Sequence, residues 1–549
     1  MMFSLKFGKN KTYIPTNQKS ISVSKLSLKS SFKFLYFAPC REAIPKKTDE
    51  KMPEIKKLLV ANRGEISLRI MRTAREMGIK TVAVYSEADR LSPHVMFADE
   101  AVCLGPPASS QSYLLGDKII EECIRLGVDA IHPGYGFLSE NAEFARKVKE
   151  AGLIFVGPSP ESIVVMGSKL AAKQAVGKYD IPLVPGTDEA ISDISAAKVK
   201  AAEIGYPILI KASAGGGGKG MRIVENEAEF EEQMQRAVSE AQSAFGDGAV
   251  FIEKFINSPR HIEIQVLGDQ HGNTVYLFER ECSIQRRHQK VIEEAPSSIV
   301  TPKMRKAMGE AAVGVAKACT YYGAGTVEFI VDEKLNFYFL EMNTRLQVEH
   351  PVTEMITGKD LVREQIWVAE EKPLSFKQED LKINGHAVEV RVYAEDPKNN
   401  FLPDIGKLIT YRRPQGPGIR VDDGFEEGMD IPIYYDPMIA KLVTHGENRK
   451  AAIDKMIRAI DDFKITGIQT TLAFCKFALQ HEAFVSGNFD TKFVENYFTP
   501  AVLEEQFSEE ESELFAALAV EFLSKISPAS TSETKEVEAI STSWRNRLK

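Results

Sequence analysis

The strongest constraint on this chain is a β-hairpin predicted within residues 325–343, where two alternating strand-like runs flank a polar turn. If the turn is centred between Lys334 and Leu335, Glu328 lies directly opposite Glu341. Side chains opposite each other on two paired strands lie roughly 5 Å apart, and like charges there destabilise the pair. The pattern therefore predicts that a cation lies between the two carboxylates.

The loop that leaves this hairpin concentrates polar chemistry. Residues 341–351 read Glu-Met-Asn-Thr-Arg-Leu-Gln-Val-Glu-His-Pro, so two carboxylates, two amides and a guanidinium follow one another closely. A solvated surface loop is the ordinary alternative for such a stretch. Hard oxygen ligands, with Asn343 beside Glu341, suit Mg2+ held between a protein and a substrate phosphate. The hairpin is therefore predicted to be a platform for phosphoryl transfer.

This loop resembles the signature of biotin carboxylases, which are members of the ATP-grasp superfamily. The resemblance runs from about residue 57 to residue 499 and includes several motifs in the same order. It implies an α/β fold with three-domain ATP-grasp architecture. The implied parts are a Rossmann-like pre-ATP-grasp domain at 53–165, an ATP-grasp domain at 166–384 with a mobile lid at about 183–255, and a C-terminal biotin carboxylase domain at 385–499.

The first part of the body shows a βαβ pattern. A buried-strand run at 57–61 precedes helical spacing at 65–77, which Gly78 closes, and a second strand-like run at 81–85. This pattern predicts a parallel sheet with a right-handed crossover. The first turn lacks G-x-G-x-x-G, so a nicotinamide cofactor is not expected. His132, at a later strand end, is interpreted as a hydrogen-bonded structural group rather than a ligand.

A glycine run at 215–220 fits G-x-G-x-x-G as a pattern but not in its context. That motif needs a helix after it, whereas residues 221–224 are strand-like, so a hairpin is predicted whose mobile tip folds over phosphates. Lys211 ends the apolar strand before the glycines. Because buried lysines are rarely unpaired, an anionic phosphate partner is expected for it. An ordinary flexible surface hairpin is the alternative.

A basic run at residues 285–290 is a second candidate anion site. Arg286, His288 and Lys290 are predicted to share one face at strand spacing, close to acidic residues; a solvated basic stretch is the alternative. Residues 261–267 alternate between polar and apolar side chains, which is typical of a half-buried strand.

The resemblance implies a role for residues in each of these motifs. The implied ATP-binding residues are Lys169, Lys211, Gly216, Gly217, Glu253, Lys254, Ile256, His261, Gln285 and His288. The implied metal ligands are Glu328, Glu341 and Asn343. The implied bicarbonate and biotin site is Lys290, Arg345, Gln347, Val348, Glu349 and Arg391, of which Glu349, Arg391, Arg345 and Lys290 are the catalytic residues. Glu349 would be the general base, and Arg345 and Lys290 are expected to keep it ionised.

The implied activity is ATP- and bicarbonate-dependent carboxylation of biotin, with Mg2+ or Mn2+ as the metal. One rival is another ATP-grasp ligase, which joins a carboxylate to an amine. A rival of a different class is a non-catalytic nucleotide-binding subunit. Such a subunit is expected to lack one of Glu341, Arg345 or Glu349, and all three are present.

Biotin is expected on a separate biotin carboxyl carrier protein, because the family's Ala-Met-Lys-Met attachment stretch does not occur in the sequence. A carboxyltransferase subunit and a second copy of this chain, forming a homodimer, are the other implied partners. The implied assembly is an acyl-CoA carboxylase that acts on acetyl-CoA, for fatty acid biosynthesis, or on propionyl-CoA.

Charge is unevenly distributed along the 549 residues. Residues 1–52 hold ten lysines, one arginine and three acids, so they carry +8, and the remainder carries −16 because the whole chain carries −8. An acidic body does not predict nucleic-acid binding. We expect residues 1–52 to be a disordered extension or a misassigned start, with a transit peptide as the alternative. Residues 500–549 are predicted to be a helix and a disordered tail.

The cellular setting is predicted from what the sequence lacks. No run of 18 or more apolar residues occurs, so no membrane-spanning segment is expected. The six cysteines are scattered without metal-binding or disulfide spacing, which favours a reducing compartment. A cytoplasmic location is therefore expected, or the mitochondrial matrix if residues 1–52 are a transit peptide.

Overall fold

Short buried strands alternate with amphipathic helices over the first hundred residues of the body and form a parallel sheet. The elements are β1 (Lys57–Val60), α1 (Gly64–Glu76), β2 (Lys80–Ser86), α2 (Pro93–Phe97), β3 (Glu100–Gly105), α3 (Gly116–Leu126), β4 (Ala130–His132), α4 (Ala142–Glu150) and β5 (Ile154–Phe155). The five strands are parallel in the order β3-β2-β1-β4-β5, so the βαβ prediction is confirmed. Gly78 follows α1 with φ of +77°, a left-handed conformation suited to glycine.

The structure is a computed structural model that describes residues 52–504 and 509–526, apart from 180, 188, 192, 213–220, 246–247 and 288. The predicted basic extension, the glycine run and the disordered tail lie outside the described residues. The described residues form one compact unit. Among the described residues, no helix combines the length and apolar character that crossing a membrane requires.

A small three-stranded sheet follows the parallel sheet. Its surroundings are α5 (Pro160–Gly167), α6 (Lys169–Val176), α7 (Ile194–Ile204), β6 (Ile208–Ala212), β7 (Met221–Val224), α8 (Phe230–Phe245) and β8 (Val250–Lys254). The strands are antiparallel in the order β7-β6-β8, and α7 and α8 contribute to its core. Lys211 pairs with Met221, so the strands that flank the glycine run form the predicted hairpin.

The largest sheet has eight antiparallel strands and extends into the C-terminal part of the chain. Its first elements are β9 (Arg260–Gly268), β10 (Thr274–Arg286), β11 (Gln289–Ala295), α9 (Pro302–Ala318), β12 (Gly323–Val331), β13 (Phe337–Asn343), α10 (His350–Thr357) and α11 (Leu361–Ala369). The remaining elements are β14 (His386–Tyr393), β15 (Glu395–Asp396), β16 (Leu402–Pro403), β17 (Thr410–Arg412), β18 (Ile419–Asp423), β19 (Met438–Gly446), α12 (Arg449–Asp462), β20 (Lys464–Thr466), α13 (Leu472–Gln480), α14 (Glu482–Ser486), α15 (Phe493–Tyr497) and α16 (Glu509–Ile526). The strand order is β13-β12-β9-β10-β11-β14-β19-β18.

The predicted pairing of Glu328 with Glu341 is confirmed across β12 and β13. The turn itself is shifted, because Phe329 pairs with Phe339, which centres the turn on Lys334. A register irregularity between Glu328 and Phe329 accommodates one extra residue on β13 and restores the predicted pair. The two carboxylates therefore face each other although the turn prediction was off by half a residue.

Two local predictions were wrong. Arg286 and Lys290 were predicted to share one face of a strand, but the basic run is a hairpin whose turn lies between β10 and β11. Gln285 stands opposite Lys290 and shares its face, whereas Arg286 pairs with Gln289. Arg286 instead binds Glu395, at 2.5 Å from Oε1. β9 is not half-buried: the side chains on its polar face, such as Glu263, are buried as well. The polar face is buried because its side chains pair with charges on the neighbouring strands, as Glu263 does with Arg280 and Lys290.

Candidate active site

A cleft of about 860 Å3 lies where the loops after β1 and β4 face the large sheet. The strand order of the parallel sheet reverses between β1 and β4, and such a topological switch point is the usual binding crevice of α/β sheets. The predicted residues that line the cleft are His261, Gln285, Lys290, Glu328, Glu341, Asn343, Arg345, Gln347, Val348 and Arg391. The fold thus brings together most of the predicted bicarbonate and metal residues.

A row of charged residues crosses the floor of this region. Arg280 on β10, Glu263 on β9, Glu328 on β12 and Glu341 on β13 are successive cross-strand partners. Lys290 compensates these acids, since its Nζ lies 2.5 Å from Glu263 Oε2 and 3.0 Å from Glu328 Oε1. The floor is therefore an ion-pair network and not an isolated pair of carboxylates.

Glu349 lies at the N-terminus of α10 and is fully buried. Its Oε1 lies 2.6 Å from Lys290 Nζ, and its Oε2 lies 3.0 Å from an Arg391 terminal nitrogen. Burial raises the pKa of Glu349, but Lys290, Arg391 and Arg280 outweigh burial and hold that pKa well below its ordinary value. Glu349 is therefore an ionised carboxylate that two cations orient.

Arg391 is held on both sides. Its Nε donates to Glu293 Oε1 at 2.6 Å, and another guanidinium nitrogen contacts the Tyr393 hydroxyl at 3.4 Å. The guanidinium is planar and rigid, so the bond at Nε fixes the direction of the terminal nitrogen that reaches Glu349.

The donor set at Glu328, Glu341 and Asn343 fits Mg2+, which prefers hard oxygen ligands. Two opposed carboxylates and an adjacent amide supply such oxygens at the cleft wall. His261 Nε2 lies 3.0 Å from Glu328 Oε2, and the Asn343 amide nitrogen lies 2.9 Å from Glu328 Oε1. Burial raises the pKa of Glu328, but Lys290 and His261 outweigh burial and hold that pKa below its ordinary value. The carboxylate is therefore charged and available as a ligand.

Arg345 forms its ion pair with Glu140 and not with Glu349. Its Nε lies 2.9 Å from Glu140 Oε2, and its terminal nitrogens contact Gln347 Oε1 at 3.1 Å and Asn343 Oδ1 at 3.3 Å. In this arrangement the cations that contact Glu349 are Lys290 and Arg391, so the expectation for Arg345 is not met. The Gln347 amide nitrogen is buried without a hydrogen-bond partner among the described residues, which suits donation to an anion.

Of the predicted nucleotide residues, Lys211 contacts Glu253, while His261 and Gln285 line the cleft described above. Lys211 Nζ forms an ion pair with Glu253, and Lys173 Nζ lies 2.5 Å from the other carboxylate oxygen. Lys211 is therefore already paired, so the argument that it needs a phosphate partner was wrong. Lys254 Nζ donates to the Tyr206 carbonyl at 2.8 Å, and Ile256 follows in the linker after β8.

Four of the predicted ATP-binding residues fall, wholly or in their side chains, outside the part of the chain that the structure describes. Gly216, Gly217 and His288 lie outside the described residues, as does the side chain of Lys169 at the start of α6. His132 is a structural group as predicted: it is fully buried, its Nδ1 accepts from the Gly134 amide at 3.0 Å, and burial lowers its pKa to about 3.

Sequence reasoning missed several buried charges that support the site. These residues are Glu263, Arg280, Glu293, Glu389 and Lys441. A signal was present for Lys441, whose charge interrupts the apolar run from Ile439 to Val443, but the other four lie on strands that carry several charges. Lys441 Nζ donates to the Val348 carbonyl at 2.9 Å and lies 3.1 Å from Glu65 Oε1, so it ties the loop before Glu349 to α1.

Comparison with family models gives three matches in chain order. The biotin carboxylase N-terminal domain matches residues 54–163, the carbamoyl-phosphate synthase L chain ATP-binding domain matches 168–377, and the biotin carboxylase C-terminal domain matches 389–496.

Full-length relatives agree with these matches. Biotin carboxylase 1 of Bacillus subtilis is 53% identical over 444 residues, which cover 81% of this chain and 99% of the relative. The mitochondrial propionyl-CoA carboxylase alpha chain of Sus scrofa is 53% identical over 465 residues, which cover 84% of this chain and 64% of the relative. The chain thus spans somewhat less than two thirds of that longer protein.

A solved structure is similar over the same region. It is the biotin carboxylase domain dimer of Hydrogenobacter thermophilus 2-oxoglutarate carboxylase, in complex with MgADP, ADP and bicarbonate. The identity is 46% and the TM-score is 0.76, with 82% of this chain and 99% of that chain covered.

Proposed function

The chain belongs to the biotin carboxylase family, and from that premise we propose that it uses ATP and bicarbonate to carboxylate biotin. The observation that carries the proposal is Glu349, an ionised buried carboxylate that Lys290 and Arg391 hold beside the cleft. A base must be deprotonated and must reach the proton that it removes.

The phosphoryl-transfer end of the proposed site is the hairpin of β12 and β13. Glu328, Glu341 and Asn343 would hold Mg2+, or Mn2+ in its place, and the metal would neutralise charge on the ATP phosphates. Lys211 lies on the strand that enters the glycine run. It would exchange its contact with Glu253 for a phosphate oxygen, and Lys169 is proposed to assist it.

The bicarbonate end is the loop before α10. Lys290, Arg345, the Gln347 amide and the Val348 N–H would orient the anion, and Glu349 would accept its proton. Bicarbonate would then attack the γ-phosphorus of ATP, with ADP as the leaving group, and form carboxyphosphate, which breaks down to CO2 and phosphate. That phosphate would take the N1 proton of biotin, and N1 would add to the CO2. Arg391 would stabilise the enolate of deprotonated biotin, as preorganised donors stabilise an oxyanion.

The partners and the location are proposed from the relatives. We propose a carrier protein that presents biotin, a carboxyltransferase, and a homodimer, since a related domain is described as a dimer. Propionyl-CoA is favoured over acetyl-CoA as the final acceptor, because a long relative is named for it. That relative is named mitochondrial, so the predicted cytoplasmic location stays a prediction.

The decisive experiment measures ATP hydrolysis by the purified chain with Mg2+, bicarbonate and free biotin, omitting each in turn. Turnover that requires all three supports the proposal. Turnover that requires an amine instead of biotin would indicate another ATP-grasp ligase, and binding without turnover would indicate a nucleotide-binding subunit. Glu341→Gln, which keeps the shape but removes one metal ligand charge, is the control and should abolish turnover without unfolding the protein.

A further inference from the structure

Two buried glutamates stand opposite each other behind Arg391. Glu293 on β11 and Glu389 on β14 are direct partners in the antiparallel register, and both are fully buried. Direct partners point to the same face of the sheet, with Cβ atoms roughly 5 Å apart, and two like charges at that distance destabilise the pair. Such an arrangement persists only if a cation compensates both charges or if one carboxyl is neutral.

Hydrogen bonding separates the two carboxyls. Oε1 of Glu293 accepts from Arg391 Nε at 2.6 Å. Among the described residues, Oε2 of Glu293 and both oxygens of Glu389 are buried without a hydrogen-bond partner. A buried carboxylate that accepts no hydrogen bond is strongly disfavoured, whereas a protonated carboxyl becomes a donor and needs only an acceptor. Oε2 of Glu293, on the strand paired with that of Glu389, is an acceptor without a partner among the described residues.

The surrounding cations are engaged elsewhere. The charged and titratable groups around the pair are Arg391 on β14, Lys290 on β11, Lys441 on β19, Glu349 at the start of α10 and Cys475 on α13. Lys290 contacts three other carboxylates, and Lys441 contacts Glu65 and the Val348 carbonyl. Arg391 binds Glu293 and Glu349. Neither lysine nor Arg391 donates a hydrogen bond to Glu389 in the described structure.

We propose that Glu293 and Glu389 share one proton, carried by Glu389, and that this acid pair is the positioning device for Arg391. The pair then presents a single negative charge to Nε of the guanidinium and leaves one terminal nitrogen directed at Glu349. The direction of the pKa values agrees: burial raises the pKa of Glu389 well above its ordinary value and that of Glu293 to about 7. The role of Arg391 rests on the proposed function, whereas the shared proton does not.

The shared proton is tested by infrared spectroscopy of the full chain without substrates at neutral pH. A carboxylic acid C=O band that shifts in D2O is expected, and Glu389→Gln should remove it. That variant should keep the melting temperature, because a neutral amide replaces a neutral acid. Glu294→Gln is the matched control and should leave the band unchanged. Glu294 is buried beside the pair but ionised, with Arg449 at 2.7 Å. An absent band, or a band that survives in Glu389→Gln, overturns the shared proton.

The positioning role is tested with Glu293→Gln, which removes the charge that holds Arg391. The ratio kcat/KM for free biotin should fall by about 10- to 100-fold, because the charge-assisted hydrogen bond that fixes Arg391 loses its anionic acceptor, while KM for ATP stays unchanged. An unchanged value for biotin overturns the positioning role. If the normal chain shows no biotin-dependent turnover, the proposed function fails, and the infrared result still decides whether the proton is shared.

Discussion

The two sheets that supply the predicted site hold their charges in different ways. On the large sheet, Arg280 and Glu263 are completely buried, and each contacts several polar partners. At the small sheet, Lys211 on β6 and Lys173 on the neighbouring α6 share the Glu253 carboxylate, and their side chains are 23% and 25% exposed. The large-sheet charges are therefore locked in place before any substrate binds, whereas the small-sheet lysines can exchange Glu253 for another anion.

This difference follows from solvent access. A buried charge that loses its partner cannot recruit water, so each member of the large-sheet network depends on the others. A partly exposed lysine is solvated when it leaves its partner, so the exchange costs little. The chemistry of bicarbonate and biotin would thus occur in a fixed electrostatic frame, while the nucleotide end adapts to its ligand.

The largest effect is expected at Glu349, within the fixed frame. Glu349→Gln removes the base but keeps a similar shape, so kcat for biotin carboxylation should fall by a factor on the order of 10²–10⁴, the usual contribution of general base catalysis. KM for ATP should be nearly unchanged. A lower melting temperature with most of the turnover retained would show instead that Glu349 is only an ion-pair partner.

The large-sheet network should respond strongly to the loss of Arg280. Arg280→Met leaves Glu263 buried with one cation fewer, and breaking a buried pair costs about 3–5 kcal/mol in the free energy of unfolding. Chemical denaturation monitored by fluorescence measures it. The double variant Arg280→Met/Glu263→Gln should recover part of the loss, because it leaves no unpaired charge. A loss below 1 kcal/mol for the single variant would contradict the locked network.

The fold and the central hairpin could be predicted because their signals are local. Alternation over 325–343 set the pairing of Glu328 with Glu341, and the βαβ pattern set the parallel sheet. The family resemblance was confirmed by relatives that match most of the chain. These features depend on residues that are near one another in sequence.

The errors and omissions have a physical cause. The turn at Arg287 was missed because that residue adopts φ of +49°, a left-handed conformation that arginine seldom takes and that no glycine or asparagine announced. The ion pair of Lys211 with Glu253 and the pairing of Glu293 with Glu389 were missed because each joins residues that are far apart in the sequence. Only the assembled sheets show which charges meet.

A moderate effect is expected at the small sheet. Lys211→Met should raise KM for ATP by roughly 10-fold, since a charge-assisted contact to phosphate is lost. The melting temperature should hold, because Lys173 still neutralises Glu253. Lys198→Met, which removes a surface contact with Glu231, is the control and should change neither quantity. A large fall in melting temperature for Lys211→Met would mean that its pair with Glu253 is structural.

The smallest effect is expected for the ion pair between Arg222 on β7 and Glu240 on α8, the counterpart of Arg280 and Glu263 on the small sheet. Their side chains are 29% and 49% exposed, so water solvates either charge when its partner is removed. Exposed pairs typically contribute up to about 1 kcal/mol.

Arg222→Met should therefore lower the free energy of unfolding by less than about 1 kcal/mol, and the difference should disappear at high salt, since salt screens exposed charges. Denaturation curves at low and high ionic strength measure it beside Arg280→Met, whose larger loss should persist because buried pairs are screened much less. Two outcomes would contradict this comparison: a similar loss of stability in both variants, or a loss for Arg280→Met that also vanishes at high salt. Either would show that the two sheets hold their charges in the same way. The large-sheet site would then be no more preorganised than the nucleotide end.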